Sequence, residues 1–175
     1  MPNEYSWGTT DIANSPYTLS DSGADNENIA TNYSGTLGNA AYSLTTPFNG
    51  SINGPVRVGI FAGNSSNSGR VTAGASYYGV MEMSGNLLEH FITVGNPTGR
   101  AFTGLHGNGL LNTNGNANVT NWPGPSSLGA GFRGGYWYYH AWYLRVSERS
   151  GAAGTDPNRY YSDGGRGGRT APSPE

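Results

Sequence analysis

Glycine is the feature that most constrains how this chain folds. It occupies 29 of the 175 positions, and a glycine inside a helix or strand weakens that element because its backbone loses more freedom on folding. We therefore expect few regular helices, short strands and long irregular connections, as in an α+β or largely irregular β domain. The length fits one domain over residues 1–175, in which residues 1–54, rich in Ser, Thr, Asn and Gly, form a loop-rich N-terminal part.

Three stretches carry strand-like patterns. Alternation predicts a strand within Pro55–Gly63, the apolar residues of Phe91–Val94 predict a second, and Ala130–Val146 predicts at least one more. The asparagine-rich stretch Leu105–Pro125 indicates a long surface excursion. Residues 146–175, interrupted by many glycines and arginines, indicate loop.

Charge and cysteine content bear on the class of partner. The net charge of −2 gives no electrostatic reason to expect nucleic acid, and no apolar run is long enough to insert into a membrane. The absence of cysteine excludes disulfides and thiolate chemistry. All nine positive charges are arginines, whose guanidinium groups hold carbonyls and carboxylates in a two-pronged geometry.

Aromatic residues are concentrated in one short segment. Between Tyr136 and Tyr143 stand four tyrosines, two tryptophans and one histidine. A folded domain either buries so much aromatic area or uses it to bind a partner. The segment by itself leaves both alternatives open.

Three motifs, in order, resemble one known family. The stretch YYGVMEMSGNLLEH, Tyr77–His90, resembles the YGLYDMxGNVWEW segment of the formylglycine-generating-enzyme/sulfatase-modifying family, and FRGGYW at Phe132–Trp137 resembles its LRGGSW. The segment Leu144–Arg169, LRVSER followed by DPNRYYSDGGRGGR, resembles the family's arginine-rich close. The match covers Tyr77–Thr170, and NEYSWGTT near the start is similar to the family's YPWGN region.

The resemblance implies a C-type-lectin-like fold, as in the sulfatase-modifying factors. Such a fold has a small, twisted antiparallel sheet with helices beside it and long loops that carry the variable chemistry. In the family a helix-bearing segment usually precedes the YPWGN region, whereas almost nothing precedes Tyr5 here. The resemblance therefore implies a domain that is trimmed at its N-terminus or completed from elsewhere.

Relatives in this family bind a structural calcium ion with a Gly-Asn-x-x-Glu stretch. The matching residues here are Gly85, Asn86, Leu87 and Glu89, and calcium requires oxygen ligands of this kind. A turn that Asn86 and Glu89 close by hydrogen bonds is an equally open alternative.

Catalysis is not expected. The family's oxygen-using enzymes need a cysteine pair for copper, and this chain has none. Its iron-dependent relatives need a histidine cluster, whereas His90, His106 and His140 show no metal-ligand spacing. The alternatives to a binding function are an enzyme of this family or its degenerate descendant, and a structural subunit of an assembly.

A second branch of the fold comprises the variable proteins of diversity-generating retroelements, in which a reverse transcriptase rewrites adenines near the end of the gene. In that branch an RGGxW…LRVSxR…GGRGxR pattern lies at the C-terminus. Here it begins at Arg133, which makes residues 133–170 the candidate variable region. An asparagine codon randomised at its adenines can encode Tyr, His, Ser, Asp, Asn, Gly, Ala or Arg, but never Trp, Glu, Gln, Lys or Met.

We expect thirteen residues of this region, all of types that the codon test permits, to form the exposed ligand-binding face. They are Tyr136, Tyr138, Tyr139, His140, Tyr143, Gly151, Gly154, Asp156, Asn158, Tyr160, Tyr161, Ser162 and Asp163. Trp137, Trp142 and Glu148 fail the test.

The remaining large side chains of the region predict a scaffold. We expect a core of Trp137, Trp142 and Leu144. We expect five arginines to brace it, namely Arg133, Arg145, Arg149, Arg159 and Arg169. In a regular strand the two tryptophans would face opposite sides of the sheet, so burial of both requires a break or bulge between them.

The sequence thus predicts a non-catalytic domain with a hypervariable aromatic face. Its partner would be a protein or a glycan on a cell or host surface, and the resemblance implies display by a virus or a cell. Tyrosine suits such a face because its ring offers contact area at low ordering cost, while Ser, Gly, Asn and Asp supply adaptable hydrogen bonds. The only cofactor considered is the structural calcium ion.

Overall fold

The chain is a mostly irregular α+β protein with two small sheets. The computed structural model describes residues 3–14, 17–31, 34–43, 54–105, 107–119, 122–123, 126, 128–158 and 160–165. The described part of the chain contains five strands, one α-helical turn and two 3-10 helices, and none of these exceeds five residues. This agrees with the expectation of short elements and long connections.

The first sheet lies within residues 1–54, which the sequence predicts to be loop. Strand β1 (Thr18–Ser20) pairs antiparallel with β2 (Asn28–Thr31), and the register shifts between Thr18 and Leu19. The loop prediction is therefore wrong for these two strands. Three- and four-residue strands give too little alternation for a sequence pattern to reveal them.

The second sheet positions the candidate site. Its strand order is β4 (Ala130–Arg133), β3 (Leu88–Ile92) and β5 (Asp163–Gly164). Strands β3 and β4 are antiparallel, as expected, but β5 runs parallel to β3. The sheet is thus mixed, and β5 corrects the prediction that residues 146–175 contain only loop.

The prediction of a strand within Pro55–Gly63 is wrong. Gly59 adopts a left-handed conformation with φ of 83° and starts a 3-10 helix at Ile60–Gly63. The helix is closed by a hydrogen bond from Ala62 N to Gly59 O of 3.0 Å. The apolar side chains that suggest alternation, Ile60 and Phe61, are both buried by this helix. A further short helix, α1, spans Pro97–Arg100, and the Asn96 side chain caps it.

Two neighbouring hydrophobic clusters form the core. The first contains Tyr17, Ile29, Ala41, Val56, Ile60, Phe61 and Trp137. The second contains Tyr5, Trp7, Ala40, Tyr42 and Leu144. Both clusters combine residues from the N-terminal part with one residue of the candidate variable region, so that region is packed directly on the core.

The asparagine-rich excursion lies on the surface, as predicted, over the residues that are described. Leu110 and Leu111 are about two thirds exposed there. In the described part of the excursion, strand-like pairing is limited to an isolated antiparallel bridge between Leu111 and Ala117. In the described ranges, no helix has the length and apolar character needed to cross a membrane.

Candidate functional site

The aromatic segment leaves the second sheet through two glycines. Strand β4 ends at Arg133, and Gly134 and Gly135 follow with φ of 92° and 67°. These left-handed conformations suit glycine and turn the chain away from the sheet. A hydrogen bond of 3.0 Å from Trp137 N to Asn86 O then fixes the segment against the core.

The segment is a turn followed by a 3-10 helix at Ala141–Leu144, and no strand continues through it. Trp137 and Leu144 are 8% and 1% exposed, which confirms their predicted burial. Trp142 is 45% exposed, so its prediction as a core residue is wrong. Within the 3-10 helix Leu144 enters the second cluster, whereas Trp142 stacks on Tyr143 at the surface with ring centroids 3.5 Å apart.

The tyrosines of the segment form a continuous row of rings. Tyr136 and Tyr139 have ring centroids 4.3 Å apart, and Tyr139 stacks on Tyr143 at the same distance. Burial, followed by the neighbouring ionisable groups, raises the pKa of Tyr136 to about 12 and also raises the pKa of Tyr139. Tyr136 and Tyr139 are therefore half-buried and neutral at physiological pH.

A second wall comes from the loop that leads into β5. Asp156 Oδ1 accepts a hydrogen bond of 2.9 Å from Asn158 N, and Asp163 Oδ2 accepts one of 3.3 Å from Tyr160 N. These bonds shape the loop, and Ser162 O ties it to β3 by accepting a hydrogen bond of 2.8 Å from Leu88 N. The Tyr161 ring reaches back to Trp137, with centroids 5.8 Å apart.

The two walls enclose one open cavity of about 340 Å³, which we call the tyrosine groove. Nine of the thirteen residues of the predicted face line it. They are Tyr136, Tyr139, Tyr143, Gly151, Asp156, Tyr160, Tyr161, Ser162 and Asp163. Residues that are separate in the sequence are thus brought to a single site.

The other four residues of the predicted face lie outside the groove. Tyr138 is exposed beside it, and His140 forms an isolated bridge with Ser43. Asn158 lines a neighbouring groove together with Asp156 and Tyr160. Gly154 packs against the ring of Phe132.

Exposure of the predicted face is uneven. Tyr138, Asn158, Tyr160 and Tyr161 are exposed, and most of the others are half-buried. Ser162 is buried, so its prediction as an exposed residue is wrong. The reason is that its backbone joins the second sheet through the hydrogen bond to Leu88.

The glycines of the predicted face are also less open than expected. A Cβ atom on Gly151 would lie 3.2 Å from Phe132 O, and one on Gly154 would lie 3.1 Å from the Phe132 ring. Both contacts are tight, so a larger residue at either position would have to displace Phe132. Gly151 is therefore a packing position as well as a lining one, and Gly154 is a packing position outside the groove.

Three of the predicted arginine braces bind backbone or side-chain oxygens. Arg133 and Arg149 both donate to Val146 O, and Arg145 donates to Asn3 Oδ1 over 3.1 Å. Burial, with the charge of nearby Arg149, lowers the pKa of Arg133 from its usual value. The predicted braces Arg159 and Arg169 lie outside the described residues, as does His106.

The candidate calcium stretch is organised by hydrogen bonds. Asn86 Oδ1 accepts a hydrogen bond of 2.8 Å from Val56 N, and its Nδ2 donates one of 3.0 Å to Val56 O. Asn86 N also donates to Ala41 O, while Gly85 N donates to Gly134 O. Leu87 packs against the first cluster, and Glu89 lies in β3 opposite Arg133. Both polar side-chain atoms of Asn86 are thus hydrogen-bonded to Val56, and the calcium site stays a prediction.

The described residues also contain no other cluster of potential metal ligands. Among the described residues, no three His, Cys, Asp or Glu side chains lie close enough together to hold a metal ion. His90 instead contacts the Phe132 ring, and its Nε2 lies 3.6 Å from Asp163 Oδ2.

Sequence reasoning missed several of the groove's lining residues, among them Glu148 and Phe132. Glu148 fails the codon test, yet its side chain reaches the groove next to Ser150. Burial opposes ionisation of Glu148, but hydrogen bonds from Ser150 and the charge of Arg149 lower its pKa on balance. Phe132 lines the groove from β4. The codon test gives no signal for either residue, because Phe132 precedes the candidate variable region and Glu148 is of a type that the test does not permit.

Comparison with known proteins gives no assignment. No family model, no curated protein and no solved structure matches this chain. The functional proposal therefore depends on the residues and geometry of the tyrosine groove.

Proposed function

We propose that this chain is a non-catalytic ligand-binding domain of C-type-lectin-like fold, and that the tyrosine groove is its binding site. One observation carries the proposal. Nine of the thirteen residues of the predicted face, taken from sequence positions between Tyr136 and Asp163, line the same open groove. The groove is thus where diversification of that region by a retroelement would change what the domain binds.

The chemistry of the groove suits recognition. Five tyrosines line it, and three of them are already packed against one another in the ring row. Rings that are ordered before binding lose little freedom when a partner arrives. Phenol hydroxyls and three carboxylates supply hydrogen bonds to a protein or a glycan, and Arg133 adds a donor.

The fold supports separation of the scaffold from the variable residues. Trp137 and Leu144 are buried in the two core clusters, while Tyr160 and Tyr161 are exposed on the groove. Changes at the exposed positions would leave the core in place. A domain of this kind would serve attachment to a cell or host surface, displayed by a virus or a cell.

The gene locus tests diversification. We expect a reverse-transcriptase gene nearby and a near-copy of the segment that encodes Arg133–Thr170. The two copies should differ only where the near-copy carries adenine, mainly at the thirteen codons. A locus without either feature would overturn the retroelement part of the proposal.

A library tests the binding part directly. Tyr138, Tyr160 and Tyr161 would be randomised with codons of the NNY type, and a matched library would randomise Trp137 and Leu144. We expect the first library to keep the melting temperature of most members and to yield binders to different surface proteins or glycans. The second should yield mostly unfolded protein. Folded members of the first library that bind no ligand across both classes would overturn a binding function for the groove.

A further inference from the structure

The tyrosine groove has an uneven distribution of charge. Among the described residues that line it, three carboxylates, Glu148, Asp156 and Asp163, stand against one guanidinium, Arg133. Such an excess attracts a cation, because opposite charges interact more strongly in a partly desolvated groove than in water. A charge preference of the groove presupposes the proposed function, because it concerns which ligand chemistry the same groove selects.

One end of the groove is internally compensated. Arg133 and Arg149 converge on Val146 O, and the charges of both interact with Glu148. The positive charges there are thus held by a backbone carbonyl and a carboxylate. This end offers little net attraction to a charged ligand.

The other end combines carboxylates with exposed rings. Asp156 and Asp163 lie there with Tyr160 and Tyr161, which are 48% and 71% exposed. Among the described residues, His90 approaches this end, with its Nε2 3.6 Å from Asp163 Oδ2. The negative charge of Asp163 is also felt across the groove, where it contributes to the raised pKa of Tyr136 and of Tyr139.

Aromatic faces beside carboxylates are the surroundings that a protein cation prefers. A lysine or arginine side chain over a tyrosine ring is attracted by the ring quadrupole, and a nearby carboxylate adds a charge-assisted hydrogen bond. The volume of about 340 Å³ lies near the lower end of the range of roughly 300–1,000 Å³ for small-ligand pockets. A single long side chain matches that size better than an extended surface does.

We infer that the Asp156–Asp163 end of the tyrosine groove binds a cationic side chain, lysine or arginine, presented by a protein ligand. Tyr160 and Tyr161 contribute ring faces, and Asp156 and Asp163 contribute charge. An uncharged glycan could donate hydrogen bonds to these carboxylates but would lack the attraction between opposite charges.

Titration of the intact chain with blocked amino acids tests this inference. The probes are the Nα-acetyl methylamides of lysine, arginine and norleucine, the last being a neutral analogue of similar length. Binding would be followed by amide chemical shifts in NMR spectra. We expect the lysine and arginine probes to shift residues 156–163 with affinities at least about fivefold higher than the norleucine probe, which corresponds to about 1 kcal/mol. Added salt should weaken only the charged probes. Equal affinity for all three probes would overturn the inference.

Two pairs of variants locate the site. Tyr161→Leu should weaken lysine-probe binding about fivefold, whereas Tyr161→Phe, which keeps the ring, should leave it within about twofold. Asp156→Asn keeps the hydrogen bond to Asn158 and removes the charge, so it should also weaken binding. Asp21→Asn is its control, because Asp21 is an exposed carboxylate that does not line the groove. Equal effects within either pair would contradict the assignment.

Failure of this inference is distinguishable from failure of the proposed function. If the probes do not discriminate charge but the randomised library still yields folded binders, the groove is a binding site without a preference for cations. If neither result appears, the binding function itself is wrong.

Discussion

Asn86 is the residue on which most local structure depends. Its side chain pairs with both backbone groups of Val56, its N donates to Ala41 O, and its O accepts from Trp137 N. It is buried and has a φ of 70°, a conformation that asparagine tolerates better than most residues. Asn86 therefore joins the loop before the 3-10 helix, the N-terminal part and the aromatic segment.

Asn86→Ala should be strongly destabilising. The change leaves the N–H and C=O of Val56 buried without their partners, and each such group costs about 1–3 kcal/mol. We expect the free energy of unfolding to fall by about 2–4 kcal/mol, measured by urea denaturation. Asn114→Ala, on the exposed excursion, is the control and should change it by less than about 0.5 kcal/mol. A melting temperature that rises on addition of calcium would argue against the hydrogen-bonded role of Asn86.

At the scale of elements, the sequence predicts the kind of structure better than its location. Glycine content indicates short elements correctly, and the strand within Ala130–Val146 is present as β4. The strand predicted for Pro55–Gly63 is absent because Gly59 adopts a left-handed conformation. Alternation of apolar and polar residues carries no information about that conformation. Strand β5 is two residues long and exists only through pairing with β3, distant in the sequence. Such pairings depend on the assembled molecule.

The positions of the candidate-site residues are likewise only partly predictable from the sequence. The codon test permits the nine residues of the predicted face that line the tyrosine groove. It does not report burial, so Ser162 and Trp142 are misplaced. The 3-10 helix at Ala141–Leu144 decides which aromatic ring turns inward, and two glycines before it set its direction.

Gly135→Ala tests whether that glycine turn positions the site. Gly135 has a φ of 67°, and a Cβ there would lie 2.6 Å from Leu144 Cδ1. Gly79→Ala is the matched control, because Gly79 has a φ of 77° but no atom within 4 Å of the added Cβ. We expect Gly79→Ala to cost about 1 kcal/mol of unfolding free energy from backbone strain. Gly135→Ala should cost about 1–3 kcal/mol more from the clash. Equal losses of unfolding free energy in the two variants would show that the Leu144 side chain moves aside without measurable cost.

At the scale of the whole molecule, side chains bonded to distant backbone replace most of the regular structure. Ser84 Oγ donates to Leu144 O over 2.9 Å and accepts from Ser6 N over 3.1 Å. Arg70 donates to Trp7 O over 2.6 Å, and Tyr42 donates to Ala13 O over the same distance. Because these bonds join distant parts of the chain, we expect the two clusters to unfold together.

Alkaline pH should therefore unfold the whole chain. Burial raises the pKa of Tyr17 and of Tyr42 well above the usual tyrosine value, and it raises the pKa of Tyr136 to about 12. Unfolded tyrosines ionise near pH 10, so above that pH the unfolded chain has lost protons that the folded chain retains. The stabilisation is complete below about pH 10 and is lost as pH rises towards the folded values.

We expect the melting temperature, followed by circular dichroism, to fall steadily above about pH 10. Tyrosinate absorbance should rise in the same pH range in which ellipticity is lost. Tyr17→Phe removes one ionising group from the core and should make the fall shallower. Tyr77→Phe removes an exposed one and should not change it. A melting temperature that stays constant up to about pH 12 would mean that the buried tyrosines ionise without opening the core.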